Sequence, residues 1–385
     1  MTSIQNQTTS PRKDGHAVVR LMLAAMLAFF PGSSMLMADD AEKAGAGMVL
    51  GEPFWRSKAM DREPVLFIQE EGKSLATAKL LFIPSAKFRI THPDQVMQYE
   101  EGKDFTWKPG SNIIELTFTS RIPFKTAAQM VPPKGSPNMF ATVLHSEGHF
   151  FHDLQVQVSY WHTNDVWTLP DKPQPEQLTR VLAKLRAKQP IKLVALGDSI
   201  TQGFNASGFK PSLAPPYQPS YPQLVANTLQ KRFGATVTLV NLGVAGTEPG
   251  WGIQMVPKVT EQKPDLVFLA FGMNDGGGFE PKMLKLRDDV MAGNPDADIV
   301  LVAPMTMNPR FAGADGFVWK SKTLRKMVTT NVALADVTTP WLEVLKKKPY
   351  ADLSGNNVNH PNDFGHRLYA QVILELFPLT SGSKK

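Results

Sequence analysis

Cysteine is missing from all 385 residues of the chain. That excludes disulfides, a thiol nucleophile, thiolate metal sites and lipid attachment through sulfur. A chain of this length can bury enough core to fold without covalent bridges, so the absence is compatible with export. No apolar run approaches the about 20 residues that a membrane-spanning helix needs. Long runs of one charge are also missing: 41 basic and 35 acidic side chains leave a scattered net charge of +6. So mild a balance excludes the basic footprint of a nucleic-acid-binding protein.

The first forty residues differ from the rest. Arg12, Lys13 and Arg20 precede a short apolar run, "LMLAAMLAFF", from Leu21 to Phe30; Pro31 and Gly32 end it, and small residues and "LMADD" follow. This is the three-part layout of a secretory signal peptide over residues 1–38, with Ala38 as its last residue. An uncleaved membrane anchor is the competing reading. Cleavage removes three basic and one acidic side chain and leaves a net charge of +4. The expectation is a secreted or periplasmic protein, of bacterial type, with no membrane span after cleavage.

Length alone predicts two domains. From about Gly51 to Tyr160 the periodicity is that of strands. "LQVQVSY" sets Leu154, Val156, Val158 and Tyr160 on one face, and "NIIELTFTS" does the same for Ile114, Leu116 and Phe118. Turn signals such as "EEGK" and "KPGSN" separate the runs, as in an all-β sandwich. A Pro-punctuated segment, "LPDKPQPEQ", reads as a linker into a short amphipathic helix with Leu178, Val181, Leu182 and Leu185 on one side. Beyond it, apolar strands "IKLVAL", "VTLVN", "LVFLAF" and "DIVLVAP" alternate with helical segments, the pattern of a parallel sheet covered on both faces. The expected division is a β-sandwich over 45–167, linker and short helix over 168–189, and an α/β domain over 190–380.

Ligands of open parallel sheets sit at the carboxyl ends of the strands. There the chain carries "GDSIT" with Ser199, "NLGVAGT" with Gly246 and "FGMNDGGG" with Asn274; "NHP" with His360 lies in the loop before the last helix. A hydroxyl, a glycine backbone, a carboxamide and an imidazole on one side of a sheet are the equipment of acyl transfer. Ser199 would attack, His360 would take its proton, and the amides of Ser199 and Gly246 with the Asn274 side chain would hold the oxyanion. The bland readings are a helix cap for Ser199 and turn positions for Gly246 and Asn274.

These four stretches resemble, in order and separation, the four blocks of the SGNH (GDSL-type) hydrolases over about residues 190–378. The resemblance implies a flavodoxin-like three-layer α/β/α domain and ester hydrolysis through an acyl-serine, without metal or other cofactor. The domain order, with a sandwich in front, resembles two-domain carbohydrate acetyl esterases. That makes O-acetyl groups on a carbohydrate the expected substrate. A lipid or peptidoglycan acyl esterase is the alternative, as is a carbohydrate-binding protein that kept the fold and lost turnover.

One position departs from the family pattern. Its last block usually has aspartate three residues before the histidine, and this chain has Asn357. Three arrangements are open: a dyad whose ring is oriented by a backbone carbonyl or by Asn357; a different acid, such as Asp352 or Asp363; or loss of activity. Asp198 and Asp275 read as supporting groups, and His366 as a packing or capping residue. In "HSEGHFFHD", His145, His149, His152 and Asp153 raise the question of a metal, but His149 and His152 would point to opposite faces of a strand.

Overall fold

Strand periodicity in the first half of the sequence and strand–helix alternation in the second become three sheets. The computed structural model describes residues 47–132, 142–163 and 177–379. The expected signal peptide and the Pro-punctuated segment from Leu169 to residue 176 lie outside the described residues.

The amino-terminal part contributes β1 (Ala59–Val65), β2 (Phe67–Gln69), β3 (Thr77–Lys79), β4 (Arg89–Thr91), β5 (Gln98–Tyr99), β6 (Phe105–Trp107), β7 (Ile113–Leu116), β8 (Phe124–Thr126) and β9 (Val156–Trp161). Order β1-β9-β4-β5 makes an antiparallel sheet, and order β6-β7-β3-β2-β8 a second one that is antiparallel except for its β2–β8 pair. Alternation works as expected in β7, where Ile114 and Leu116 are buried, but Phe118 lies past the strand end and is 83% exposed. In β9, Val156, Val158 and Tyr160 enter the core, while Leu154 closes a short helix, α1 (Phe150–Leu154), ahead of the strand. The intervening glutamines are buried rather than solvated. Gln155 Nε2 donates to Ala351 O at 2.7 Å and Ser354 O at 3.0 Å, because this face packs on the carboxy-terminal part of the chain.

The second part opens with α2 (Thr179–Arg186), which buries Val181, Leu182 and Leu185 together with the preceding Leu178. It continues through β10 (Ile191–Gly197), α3 (Ser199–Gln202), α4 (Tyr221–Phe233), β11 (Val237–Asn241), α5 (Pro249–Gln254), α6 (Val256–Glu261), β12 (Leu266–Ala270), α7 (Phe279–Gly293), β13 (Asp298–Ala303), α8 (Asp315–Arg325), β14 (Val332–Asp336), α9 (Thr338–Leu345) and α10 (Asp363–Leu374). The strands pair in parallel in the order β11-β10-β12-β13-β14, which is the flavodoxin-like order. Alternate residues of one strand feed two separate cores. Phe268 and Val300 face α4 and α10, whereas Val267, Leu269 and Ile299 face α7 with its Met283, Leu286 and Val290. Each fully buried side chain of this kind contributes about 1.5–3 kcal/mol, so the sheet is held from both faces.

The two parts also share a core. Phe54 packs on Phe364 with ring centroids 5.2 Å apart, in the same apolar cluster as Phe67, Val158, Trp341 and Leu368. Beside it a buried Lys348 reaches Glu63 at 2.8 Å, Asp352 at 2.7 Å and the carbonyls of Pro64 and Lys79. Both carboxylates are further satisfied, by Leu81 N and Leu66 N respectively. A buried pair is tolerated only with such extra hydrogen bonds, and removing one partner would strand a charge.

Candidate active site

Strand β10 ends at Gly197 and the chain turns at once into α3. A Cβ at 197 would lie 2.2 Å from Thr201 Oγ1 and 2.5 Å from Ala270 O, so only glycine allows the turn. Asp198 caps α3 by accepting Ile200 N at 3.0 Å, which leaves Ser199 as the first helical residue at the carboxyl end of the sheet. The capping role raised for Ser199 thus falls to its neighbour. An amide at that helical position has no intrahelical acceptor and is free to serve a ligand.

The glycine block is laid against this helix. Gly243 approaches so closely that a Cβ there would sit 2.5 Å from Gln202 N. Asn241 Nδ2 donates to Thr201 O and Ala245 N to Gln202 Oε1, both at 2.7 Å. Gly246 has φ +78°, a left-handed conformation that favours glycine. Asn274 Nδ2 donates to Thr247 O at 3.2 Å, so the asparagine block is joined to the glycine block. Asp275 faces Lys320 at 3.1 Å, and Lys320 also donates to Gly272 O, which braces the turn after β12.

His360 comes from the loop that precedes α10. Its Nε2 lies 2.9 Å from Ser199 Oγ, and both residues are buried. The loop that delivers the ring is organised by Asn356, whose Oδ1 accepts the backbone amides of Val358, Asn359 and His360, each at 3.0 Å. Ser354 Oγ donates to His360 O at 2.7 Å, and Tyr350 Oη donates to Val358 O. Asparagine is the residue type for this task, since its short amide can gather several turn amides at once.

Behind the ring, Nδ1 has three polar neighbours: Asn205 Oδ1 at 3.1 Å, Asn356 Nδ2 at 3.0 Å and Glu147 Oε1 at 3.5 Å. Their roles follow from the donor count. Asn356 Nδ2 has two hydrogens and spends them on Glu147 Oε1 and Asn359 Oδ1, both at 2.9 Å. Asn205 Nδ2 faces the carbonyls of Gly148 and Gly355, at 3.1 and 3.2 Å, which turns Asn205 Oδ1 toward the imidazole as an acceptor. Nδ1 therefore carries the proton and donates a hydrogen bond to Asn205 Oδ1, and Nε2 presents its lone pair to Ser199. This is the tautomer a general base requires. Gly355 fits this wall because a Cβ there would lie 2.4 Å from Asn205 Cβ.

Asn357 does not reach the ring. Its side chain accepts from Asn308 Nδ2 at 3.1 Å and donates to Leu144 O at 2.9 Å, at a residue with φ +62°. Asp352 is committed to Lys348, and Asp363 to Ser207, whose amide and Oγ it accepts at 2.8 and 2.7 Å. His366 is buried between Tyr221 N and Phe204 O, and burial pushes it down to about 4, so it stays neutral and structural. His149 pairs with Asp153, and His152 reaches Pro215 O, from a helix rather than a strand. Sequence reasoning missed Asn205 and Glu147. Asn205 follows the nucleophile by six residues in "GDSITQGFN", and Glu147 stands inside the histidine-rich stretch read only for metal.

Burial opposes charge on Glu147, but the neighbouring His360 and hydrogen bonds from His145 and Asn356 outweigh it and hold the carboxyl well below the usual carboxylate range. Asp198, on the serine side, behaves oppositely: burial pushes it up to about 7.

Residues 195–368 match the model of the GDSL-like lipase/acylhydrolase family. No curated protein matches the chain. Among solved structures the chain is similar to a two-domain esterase (CEX) active on acetylated mannans, at 25% identity over 54% of this chain and 53% of that one, with a TM-score of 0.45. It is also similar to Axe2, an acetylxylan esterase from Geobacillus stearothermophilus, at 23% identity over 49% of this chain and 94% of that one, with a TM-score of 0.42. The chain thus spans about half the length of the two-domain structure. Among the described residues no helix is long and apolar enough to cross a membrane.

Proposed function

We propose, from a carboxy-terminal part that belongs to the GDSL-like lipase/acylhydrolase family, that this protein hydrolyses carboxylic esters through an acyl-serine. The observation that carries the reading is the 2.9 Å contact between Ser199 Oγ and a His360 Nε2 that is free to accept. Ser199 Oγ attacks the ester carbonyl as its proton passes to Nε2, and Asn205 Oδ1 holds the Nδ1–H throughout. The carbonyl oxygen becomes an oxyanion, for which the amides of Ser199 and Gly246 and the Asn274 side chain are the candidate donors. Each such donor lowers the barrier by about 2.7–4 kcal/mol. His360 then returns its proton to the leaving alcohol, and the same imidazole deprotonates the water that releases the acid.

The substrate is an O-acetyl ester on carbohydrate, outside the cytoplasm. Support comes from the β-rich part in front of the hydrolase part, the arrangement in which the chain resembles carbohydrate acetyl esterases, and from the leader-like residues 1–38. A series of 4-nitrophenyl esters tests this. Acetate should exceed butyrate and octanoate in kcat/KM by about tenfold or more, and acetylated oligosaccharides should release acetate. An octanoate rate equal to or above the acetate rate would move the protein to the lipid-acyl class.

A further inference from the structure

The carboxylate nearest the histidine comes from the other half of the chain. Glu147 lies between a short 3₁₀ turn, Ala128–Met130, and α1, 213 residues before His360. Three asparagine amides of the hydrolase part hold its segment in place. Asn357 Nδ2 donates to Leu144 O at 2.9 Å, Asn205 Nδ2 to Gly148 O at 3.1 Å, and Asn356 Nδ2 to Glu147 Oε1 at 2.9 Å. Glu147 Oε1 sits 3.5 Å from His360 Nδ1, and Glu147 Oε2 is buried with no hydrogen-bond partner among the described residues. So well-anchored a carboxylate, left half-satisfied beside an imidazole, is costly unless the charge is used.

We infer that Glu147 is the positioning acid of the Ser199–His360 pair, supplied by the amino-terminal part, and that its work is divided with Asn205. In the usual triad one carboxylate both fixes the tautomer and stabilises the imidazolium. Here the neutral Asn205 oxygen fixes the tautomer, and Glu147 supplies the negative charge when His360 holds the serine proton. No proton moves to Glu147, which stays an anion. The substitution of aspartate by Asn357 is thereby compensated: Asn357 clamps the segment that brings the replacement acid. The site is incomplete without the amino-terminal part, so the β-rich half is a component of the catalytic apparatus as well as a neighbour to it.

This inference rests on the ester-hydrolase reading and deepens it. The charged and titratable groups around the imidazole are Glu147, His145 beside Glu147, Asp198 behind the serine and His366. Of these, Glu147 alone is an anion held against the ring. The test is Glu147→Gln in the full chain, with thermal unfolding checked, on 4-nitrophenyl acetate. An anion beside the ring stabilises the imidazolium that forms as the serine proton leaves. The variant should therefore lose about 10- to 100-fold in kcat with KM little changed, and the acid limb of kcat/KM should move to lower pH. Glu147→Ala should regain part of its kcat on adding formate, since the Glu147 side chain is 25% exposed and a small anion can enter. A Gln variant that matches wild type in kcat and acid limb overturns the inference, and so does a loss of kcat with an unmoved limb and no formate rescue. A wild-type protein that neither turns over esters nor reacts with a fluorophosphonate defeats the hydrolase reading itself, which is a separate and recognisable result.

Discussion

Two carboxylates flank the Ser199–His360 pair, one behind each partner, and their surroundings drive them in opposite directions. Asp198 touches the nucleophile in sequence, caps α3, and is pushed up to about 7 by burial, with Asp275 adding repulsion. Glu147 is far from either partner in sequence, yet its polar surroundings hold it well below the usual range despite burial. Opposed shifts in a pair of acids separate roles. The acid beside the nucleophile builds the turn. The acid from the distant segment faces the base. Adjacency in the chain therefore says little about which carboxylate takes part in proton transfer.

The sharpest way to break this comparison is on the imidazole side, at Asn205. Asn205→Ala removes the acceptor of the Nδ1–H and should lower kcat by about 100-fold with KM nearly unchanged, measured on a short-chain ester. If kcat survives, Glu147 orients the ring alone and the division of labour is wrong. The smaller test is on the serine side. Because Asp198 is raised above its ordinary value of 3.8, its folded state favours the proton. Its contribution to stability is fully present below about pH 4 and is lost as pH rises to about 7. Asp198→Asn keeps an oxygen for the cap and does not titrate, so wild-type stability relative to the variant should fall between those pH values and level off above them. Urea unfolding across pH measures it; a constant difference would mean that Asp198 is charged throughout.

The same contrast explains what the sequence makes legible. Short-range patterns encode short-range structure: continuous apolar runs specify strands buried on both faces, and "GDS" after such a run specifies a strand, a glycine turn and a serine at the strand's carboxyl end. Gly246 and Asn274 follow the same local logic, since each lies in the loop after a strand of that sheet. The wall behind His360 is not. It is built from Asn205, Asn356 and Glu147, which meet only after the β-rich part docks on the hydrolase part, and no local period reports that docking. Asn357 misled by analogy: the family spacing points to it, but a left-handed backbone turns its amide toward Leu144 and Asn308. Gln155, just before β9, and Gln157 within it are likewise buried, and Gln155 is tied to the carboxy-terminal part through Ala351 O.

All of this stands on Ser199 being made nucleophilic by His360. The most direct measurement is the rate of modification by a fluorophosphonate, mapped by mass spectrometry, in wild type and in His360→Gln. The account predicts that Ser199 of the wild type is labelled stoichiometrically and that the variant reacts slower by about 1,000-fold or more. Equal labelling of the two proteins, or a label on another serine, would contradict it.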